Sequence, residues 1–413
     1  MSATSPMADQ IWFQDKGSID DSSESGDNFG SSLAVGDFNG DRYDDLAIGI
    51  PNENIGTVAD GGAVSIIYGS ISGLSDTRVL ADQYWTQNSA NVEGGSEASD
   101  YFGWSLYSGN FNGDSYDDLA IGVPGEDLGS GAATIMDAGA VNVIYGSASG
   151  ISATATLPDQ FWTQNTPDIE GSSEGNDRFG ISLAVGDFDC EGTDDLAIGA
   201  LEGGKTPSFA GSVNIIYGSQ TSGLSATKKP DQLWTQDSSD VENVLEAGDK
   251  FGSSLAVGDF DHDGHEDLAI GVPSEDIGSV PNSGAVNVVY GSSAGLSATA
   301  MAGTGRPDQF WSQNSADIDD AIEKNDLFGS SLSGADFNGD GYDDLAIGVP
   351  YEDVGVVVDS GAVAVIYGSE PGLAAAPTSS STSRNDQLWH QGSFNIEDSP
   401  ENADTFGSSI ASG

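Results

Sequence analysis

Five stretches of nine residues repeat a pattern of oxygen-bearing side chains that could hold a metal ion. They are, as turns 1 to 5 in chain order, DFNGDRYDD (37–45), NFNGDSYDD (110–118), DFDCEGTDD (187–195), DFDHDGHED (259–267) and DFNGDGYDD (336–344). Oxygen side chains stand at positions 1, 3, 5 and 9, and a glycine at position 4 or 6 lets the chain curl around a centre. A flexible loop with about six oxygens suits Ca²⁺, which prefers hard oxygen ligands. The spacing therefore predicts about one calcium ion per complete repeat.

The predicted ligands occupy positions 1, 3, 5, 7 and 9 of each turn, and position 7 contributes its backbone carbonyl. They are Asp37, Asn39, Asp41, Tyr43, Asp45; Asn110, Asn112, Asp114, Tyr116, Asp118; Asp187, Asp189, Glu191, Thr193, Asp195; Asp259, Asp261, Asp263, His265, Asp267; and Asp336, Asn338, Asp340, Tyr342, Asp344. The acidic residue at position 8 is expected to point outward, because it is the direct neighbour of position 9. Mg²⁺ would need stricter octahedral geometry. Cys190, the one soft candidate, is not repeated, so zinc and copper fit poorly.

The five turns are expected to differ in affinity. Turn 4 offers four carboxylates and should bind most tightly, whereas turns 1 and 5 offer three carboxylates and an asparagine. In turn 3 the longer side chain of Glu191 can distort the ring of ligands. Turn 2 should be weakest, because only Asp114 and Asp118 are charged among its side-chain ligands.

A plainer interpretation is that Asp, Asn and Gly simply form hairpin turns. Against it stands the repulsion between carboxylates, about 1 kcal/mol for two charges 4 Å apart in water and about 4 kcal/mol at an effective dielectric near 20. The whole chain of 413 residues is strongly acidic, with 66 acidic and 11 basic side chains and a formal net charge of −55. Such charge disfavours nucleic acid and anionic membranes as partners. Bound divalent cations, adaptation to high salt, or both remain as explanations.

Two further motifs divide the chain into repeats of about seventy-five residues. A DQxW motif ends at Trp12, Trp85, Trp162, Trp234, Trp311 and Trp389, and a Phe-Gly pair begins at Phe29, Phe102, Phe179, Phe251, Phe328 and Phe406. Each tryptophan precedes its phenylalanine by 17 residues, and each turn begins 8 residues after a phenylalanine. We treat the tryptophans as core residues that pack between repeats rather than as a carbohydrate-stacking array. Trp104, outside this register, is also expected in the core.

Each repeat contains four segments with the character of short strands. In the fourth repeat the first three segments are FGSSLAVGD, DLAIGVP and GAVNVVYG. The fourth segment is the DQxW motif with its flanking residues, which recurs in every repeat. Four short antiparallel strands per repeat predict an all-β fold, a β-propeller of four-stranded antiparallel blades. The predicted repeats are 29–101, 102–178, 179–250, 251–327 and 328–405 within one propeller region, 1–413.

Partial repeats are expected at 1–28 and 406–413, as a lone fourth strand at Trp12 and a first strand at FGSSIASG. On this interpretation the chain is a fragment of a six- or seven-bladed propeller that continues past Gly413. The sequence shows no signal peptide and no stretch of eighteen apolar residues that could form a transmembrane helix. Its single cysteine excludes an intrachain disulfide.

The Phe-Gly pair, the D-x-[DN]-x-D-x-x-x-D turn and the LAIGVP segment resemble the FG-GAP repeats of integrin α-subunit propellers. Similar repeats occur in bacterial surface proteins and in glycosylphosphatidylinositol-specific phospholipase D. The resemblance implies calcium in the turn between the first two strands of each blade, and an extracellular or cell-surface adhesive or ligand-binding role. Integrin propellers usually have fewer calcium turns, and we interpret the chain as a bacterial integrin-like protein.

The ligand, a protein or a glycan, is expected on the face opposite the calcium turns, where loops such as 125–139 and 202–211 vary in length. Catalytic motifs are lacking in the sequence, which predicts no enzyme and no catalytic residue. Two alternatives stay open: a structural or surface-layer component, and a propeller domain appended to a secreted hydrolase outside this chain.

Overall fold

A computed structural model describes residues 10–17, 19–75, 80–154, 157–299, 307–318, 320–376, 385–396 and 398–412. Within these ranges the chain forms twenty short strands, β1 to β20, and one 3₁₀ turn at Gly131–Ala133. The strands follow one another in sets of four, and each set forms its own antiparallel sheet in the order of the chain. The predicted all-β fold of four-stranded blades is confirmed.

The first strand of each blade carries the alternating residues after the Phe-Gly pair: β1 Leu33–Gly36, β5 Leu106–Gly109, β9 Ser182–Gly186, β13 Leu255–Gly258 and β17 Leu332–Ala335. The second strand carries the DLAIG segment: β2 Asp45–Ile50, β6 Asp118–Val123, β10 Asp195–Ala200, β14 Asp267–Val272 and β18 Asp344–Val349. The third strand begins after a glycine: β3 Ala63–Ile67, β7 Ala140–Ile144, β11 Ser212–Ile216, β15 Ala285–Val289 and β19 Ala362–Ile366. The fourth lies at DQxW: β4 Gln83–Trp85, β8 Gln160–Trp162, β12 Gln232–Trp234, β16 Gln309–Trp311 and β20 Gln387–Trp389.

The second and third strands form the buried centre of each blade. All six residues of β6 and all five of β7 are buried, which explains why both segments are continuous apolar runs rather than alternating ones. The register pairs Leu119 with Ile144 and Val123 with Ala140. The same pairing recurs in the other blades, so the spacing of the repeat fixes the register.

The chain divides into two compact units. One comprises residues 1–183 and 217–229 and contains the first two blades. The other comprises residues 184–216 and 230–413 and contains the fourth and fifth blades and most of the third.

Within each unit the Phe-Gly pair joins one blade to the preceding one. Phe102 is fully buried, and its backbone pairs with that of Gly62 in the preceding blade. Gly62 has a φ of +78°, and a Cβ there would lie 2.3 Å from the backbone nitrogen of Phe102. Glycine is thus required at this position by both conformation and space. The same bridge joins Gly211 to Phe251 in the second unit.

The tyrosine of the YGS motif and the glutamine of DQxW form a second connection between blades. Tyr68 donates a short hydrogen bond from its hydroxyl to Oε1 of Gln83. Gln83 in turn donates from Nε2 to the carbonyl of Ile151 in the next blade, at 3.2 Å. The Tyr290–Gln309 pair repeats this arrangement in the second unit. These buried polar groups are satisfied only when two blades are in contact, which explains why both motifs recur.

Three expectations about individual segments were wrong. Residues 10–13, around Trp12, form no strand, although Trp12 packs against a small cluster that contains Ile48. Residues 406–412 form no strand either. Trp104 is 41% exposed instead of buried, and its ring lies edge-on to that of Tyr101, with 5.8 Å between the centroids.

The DQxW tryptophans behave mostly as predicted. Trp162 and Trp234 are buried, and Trp85 and Trp311 pack against the core clusters of their units. Trp389, in the last strand, is 36% exposed.

Candidate metal centre

Each of the five turns connects the first strand of a blade to its second strand. Position 9 is the first residue of that second strand, as Asp267 is the first residue of β14. In turn 4 the carboxylate of Asp259 accepts hydrogen bonds from the backbone N–H groups of Asp263 and Gly264, at 3.0 and 3.1 Å. Asp261 also accepts from the N–H of Asp263, at 3.1 Å. These bonds curl the backbone so that the carboxylates at positions 1 and 3 face the inside of the turn.

Carboxylates gather most closely in the two turns that carry an acid at position 3. In turn 4, oxygens of Asp259, Asp261 and Asp263 lie within 4.8 Å of one another, and turn 3 gathers Asp187, Asp189 and Asp195 in the same way. Asp267 and Glu191 lie outside these two groups. Turn 4 thus assembles three of its four predicted carboxylate ligands, and Glu191 stands apart as its longer side chain suggested.

The aspartate at position 9 is the most buried of the predicted ligands in each turn, and it links the turn to the end of the third strand. Asp118 accepts hydrogen bonds from the N–H of Phe111 at 3.1 Å and from that of Gly146, just after the third strand, at 2.9 Å. Burial raises its pKa to about 8, and the nearby carboxylate of Asp114 adds to the effect. Burial likewise raises the pKa of Asp45 to about 7. Each of these carboxyl groups therefore lies in a site that disfavours an uncompensated negative charge.

Asparagine at position 3 has a second role beside offering an oxygen. In turn 1, Asn39 donates from Nδ2 to Oδ2 of Asp45 at 3.2 Å, while its Oδ1 accepts from the N–H of Asp41 at 3.0 Å. Asn338 of turn 5 donates to Asp344 in the same way, at 3.3 Å. A neutral donor thus partly offsets the burial of the position 9 carboxylate. Sequence reasoning counted these asparagines only as oxygen ligands.

Position 7 contacts position 5 through its backbone N–H. Tyr43, Tyr116, His265 and Tyr342 each donate to the Oδ1 of their position 5 aspartate, at 3.0, 2.8, 2.9 and 3.2 Å. The ring of His265 also lies against the turn, with Nδ1 3.1 Å from Oδ1 of Asp263. That contact places an imidazole beside a predicted ligand, which the sequence did not indicate. The contribution of the position 7 carbonyl stays a prediction.

In three of the five turns position 8 does not point outward, contrary to expectation. Its side chain bridges to the turn of the preceding blade: Asp117 accepts from the N–H of Asp37 at 2.8 Å, Glu266 from that of Asp187 at 2.8 Å, and Asp343 from that of Asp259 at 3.0 Å. In each pair the acceptor lies next to the predicted ligand at position 9, and the donor is the predicted ligand at position 1. Neighbouring turns within a unit are therefore linked directly. Asp44, in the first blade, is exposed.

Comparison with known proteins places this arrangement in a family. The model of the FG-GAP repeat matches residues 29–67, 102–136, 251–289 and 328–366. These segments contain turns 1, 2, 4 and 5, with the strands on either side of them. Four of the five blades therefore carry FG-GAP repeats, and the propeller is similar to those of integrin α subunits.

Several curated proteins are similar to parts of this chain. Integrin alpha-PS2 of Drosophila melanogaster is 30% identical over 252 residues, which cover 60% of this chain and 15% of that protein. Integrin alpha-V of Gallus gallus is 31% identical over 248 residues, which cover 59% of this chain and 20% of that protein. Phosphatidylinositol-glycan-specific phospholipase D of Rattus norvegicus is 33% identical over 175 residues, which cover 41% of this chain and 18% of that protein. The match thus spans a fifth or less of each of these relatives.

Among solved structures, the Dos1 propeller aligns with a TM-score of 0.33 at 12% identity, over 76% of this chain and 63% of that chain. This is a loose likeness. In the ranges that the structure describes, no helix has the length and apolar character needed to cross a bilayer.

Proposed function

We propose that this chain is a calcium-binding adhesion or ligand-binding module without catalytic activity. The observation that carries the proposal is the repeated turn, in which inward-facing carboxylates are held next to a buried aspartate at the start of the second strand. The ligands would be the residues at positions 1, 3, 5, 7 and 9 given above. The integrin relatives are consistent with an extracellular or cell-surface location, which we include in the proposal.

Calcium fits these turns better than other common ions. The side-chain donors at positions 1, 3, 5 and 9 are all oxygens, and the turns are flexible enough for the irregular geometry that Ca²⁺ accepts. A divalent ion would neutralise buried carboxylates such as that of Asp118, whose pKa burial raises to about 8. By joining turn to strand, the ion would also stabilise the hairpin that places the second strand in the blade.

We place the ligand on the loops at the opposite ends of the strands. A cavity of about 200 Å³ there is lined by Tyr101, Trp104, Asp137 and Arg178. Tyr101 and Trp104 flank the Phe-Gly pair of the second blade, and Asp137 belongs to the variable loop 125–139. An exposed tryptophan offers a flat apolar surface, and Arg178 is one of only 11 basic side chains. These groups suit a protein or glycan ligand that carries an acidic group.

The calcium proposal is tested by thermal unfolding in excess EDTA, with added Ca²⁺ and with added Mg²⁺, at low and at molar NaCl. For each site, a ligand at a hundredfold its Kd stabilises the folded state by about 2.7 kcal/mol. We expect a large rise in Tm with Ca²⁺ that Mg²⁺ does not reproduce and that molar NaCl does not abolish. Stabilisation by NaCl alone would show that the turns are ordinary hairpin turns and that the acidity is an adaptation to salt.

A matched pair of variants separates ligation from charge. Asp41→Asn removes one carboxylate from position 5 of turn 1, and Asp44→Asn removes one from the exposed position 8 of the same turn. We expect the Ca²⁺-dependent rise in Tm to shrink for Asp41→Asn and to be unchanged for Asp44→Asn. Equal effects would mean that calcium acts only through the overall charge.

The ligand proposal is tested by binding to an array of glycans and extracellular matrix proteins, with Trp104→Ala as the variant. We expect the wild-type chain to bind at least one immobilised ligand in Ca²⁺, and Trp104→Ala to lose at least tenfold in affinity. If no ligand binds, a structural role becomes the better interpretation. If Trp104→Ala binds as tightly as the wild type, the ligand site lies elsewhere.

A further inference from the structure

A second set of carboxylates lies at the other end of each second strand, away from the turns. Three residues after the strand ends, a glutamate is buried: Glu53, Glu126, Glu275 and Glu352 are 1%, 6%, 2% and 2% exposed. A strand of six residues spans roughly 20 Å at about 3.3 Å per residue. These glutamates are therefore well separated from the predicted calcium ligands, and the proposed function does not use them.

A Glu-x-x-Asp segment just before each Phe-Gly pair accompanies the buried glutamate. We define four loop clusters, each with its glutamate, that segment and one glutamine: Gln14, Glu24, Asp27, Glu53; Gln87, Glu97, Asp100, Glu126; Gln236, Glu246, Asp249, Glu275; and Gln313, Glu323, Asp326, Glu352. In the first cluster, oxygens of Glu24, Asp27 and Glu53 lie within 4.8 Å of one another. Three carboxylates thus meet at a largely buried point.

The glutamine of each cluster lies two residues after the tryptophan of the DQxW motif in the preceding repeat, and it contacts the buried glutamate. Its Nε2 donates to Oε2 of that glutamate, at 2.7 Å for Gln14, 2.5 Å for Gln87, 2.7 Å for Gln236 and 2.6 Å for Gln313. The glutamate therefore fixes the orientation of this amide.

Several oxygens in these clusters are buried and have no hydrogen-bond donor. They are the Oε1 atoms of Gln87, Gln236 and Gln313 and the Oδ1 atom of Asp100. The side chains that carry them are only 1–2% exposed. Buried acceptors are nearly always paired, so the unpaired glutamine oxygens in equivalent places of three clusters, with Asp100 beside one of them, require an explanation. A metal cation, which binds the lone pairs of oxygen atoms, would satisfy these acceptors together with the carboxylates.

In the third blade a lysine neutralises the buried glutamate that follows the second strand. There the equivalent glutamate, Glu202, forms an ion pair with Lys205, with 2.5 Å between Oε2 and Nζ. In the other blades, across the ranges the structure describes, no lysine or arginine pairs with Glu53, Glu126, Glu275 or Glu352. The protein thus supplies its own cation to the glutamate of the third blade, whereas the four other glutamates have no such ion pair within the described ranges.

We propose that each of the four loop clusters binds a divalent cation of the Ca²⁺ class through its carboxylates and its glutamine carbonyl oxygen. Burial raises the pKa of Glu126 to about 8 and that of Glu275 to about 7, which is consistent with a carboxyl group that awaits a compensating charge. The bound ion would join the segment after the DQxW motif of one repeat to the loop after the second strand of the next.

Equilibrium dialysis with radioactive Ca²⁺ at pH 7.5 counts the ions bound per chain. Five turns and four loop clusters give an expected total of nine, and Mg²⁺ is run in parallel to identify sites that either ion fills. A wild-type total of three or fewer ions of either metal would overturn the inference without reference to any variant.

Variants then assign the sites. The double variant Glu126→Gln with Asp100→Asn is expected to bind one ion fewer, with its far-ultraviolet circular dichroism unchanged. Glu202→Gln, the matched control in the third blade, is expected to keep the full number because Lys205 already occupies that place. Should the double variant keep the full number, the second cluster is not a site and the inference fails.

A turn variant distinguishes this inference from the proposed function. Asp114→Asn is expected to lose one ion from turn 2 and leave the loop clusters filled. If Asp114→Asn loses an ion and the double variant does not, the turns bind calcium and the loop clusters hold protons instead. The reverse result would support the loop clusters and contradict the turns.

Discussion

At the scale of single residues, the aspartate at position 9 is both a predicted ligand and a structural acceptor. Asp267 is 1% exposed and accepts from the N–H of Phe260 at 2.9 Å and from that of Gly291 at 2.8 Å. The sequence could not show this second role, because the donor after the third strand is 24 residues away along the chain. It explains why position 9 is aspartate in all five turns while position 1 or 3 can be asparagine.

Replacing Asp267 by asparagine should destabilise the chain even without calcium. Asparagine offers only one acceptor oxygen, so one buried N–H group loses its partner, at a cost of about 1–3 kcal/mol. Urea unfolding in EDTA measures this cost. Asp263→Asn, at the more exposed position 5, serves as the control and is expected to change the stability in EDTA by less than about 1 kcal/mol. Equal stabilities of Asp267→Asn and the wild type in EDTA would contradict the structural role.

The two kinds of tryptophan should respond differently to truncation. Trp162→Ala removes a buried ring, which typically costs about 3–5 kcal/mol in the free energy of unfolding. Trp104→Ala removes an exposed ring whose edge-on contact with Tyr101 is worth about 1 kcal/mol. Urea unfolding of both variants tests the difference, and a larger loss for Trp104→Ala would show that its ring belongs to the core after all.

At the scale of strands and turns, most of the fold follows from the sequence. The fixed spacing between DQxW, Phe-Gly and the turn predicts the order of the four strands, and the continuous apolar runs predict which two are central. The contacts between blades are harder to predict from the sequence. Position 8 looked like a solvated neighbour of position 9, yet Glu266 reaches the preceding turn, because the partner that defines its role lies 79 residues earlier.

Two sequence patterns accompany the loop clusters. A Glu-x-x-Asp segment precedes every Phe-Gly pair, and a buried glutamate follows the second strand in every blade. Neither pattern resembles a known turn motif, and their residues come together only through the pairing of neighbouring blades. The same reason applies to Trp104, whose exposure depends on loops that vary in length between repeats.

The joint between blades can be tested at Gly62. A Cβ at Gly62 would lie 2.3 Å from both the nitrogen and the oxygen of Phe102, whereas a Cβ at Gly56 meets nothing within 4 Å. Both glycines have a positive φ, +78° and +67°. Gly56→Ala should therefore cost about 1 kcal/mol through backbone strain alone. Gly62→Ala should cost a further 1–3 kcal/mol or so through the clash.

Urea unfolding in Ca²⁺ compares the two variants with the wild type. If Gly62→Ala is no less stable than Gly56→Ala, the backbone contact between the first two blades is not essential to the fold.

At the scale of the whole molecule, buried carboxyl groups make the stability depend on pH. Burial raises the pKa of Asp45 from 3.8 to about 7 and that of Asp118 to about 8, so the folded chain binds more protons than the unfolded chain between pH 4 and pH 8. The free energy of unfolding then falls as the pH rises through this window. We expect urea unfolding in EDTA to show lower stability at pH 8 than at pH 6.

Saturating Ca²⁺ should reverse this dependence, because metal ions bind the deprotonated carboxylates. In Ca²⁺ the chain is expected to be more stable at pH 8 than at pH 6, by the same unfolding measurement. A decline with pH that is equally steep in EDTA and in Ca²⁺ would mean that the ion does not contact these carboxyl groups.

The pairing of each glutamine with a glutamate 39 residues further along has a consequence for how such genes grow. Because the glutamine belongs to one repeat and the glutamate to the next, each of these four joints uses the same two positions. A tandem duplication of one repeat, wherever its ends fall, creates a new contact between blades in which the glutamine and the glutamate are both present. Unequal crossing-over can therefore add or delete whole blades without requiring a compensating mutation at the seam.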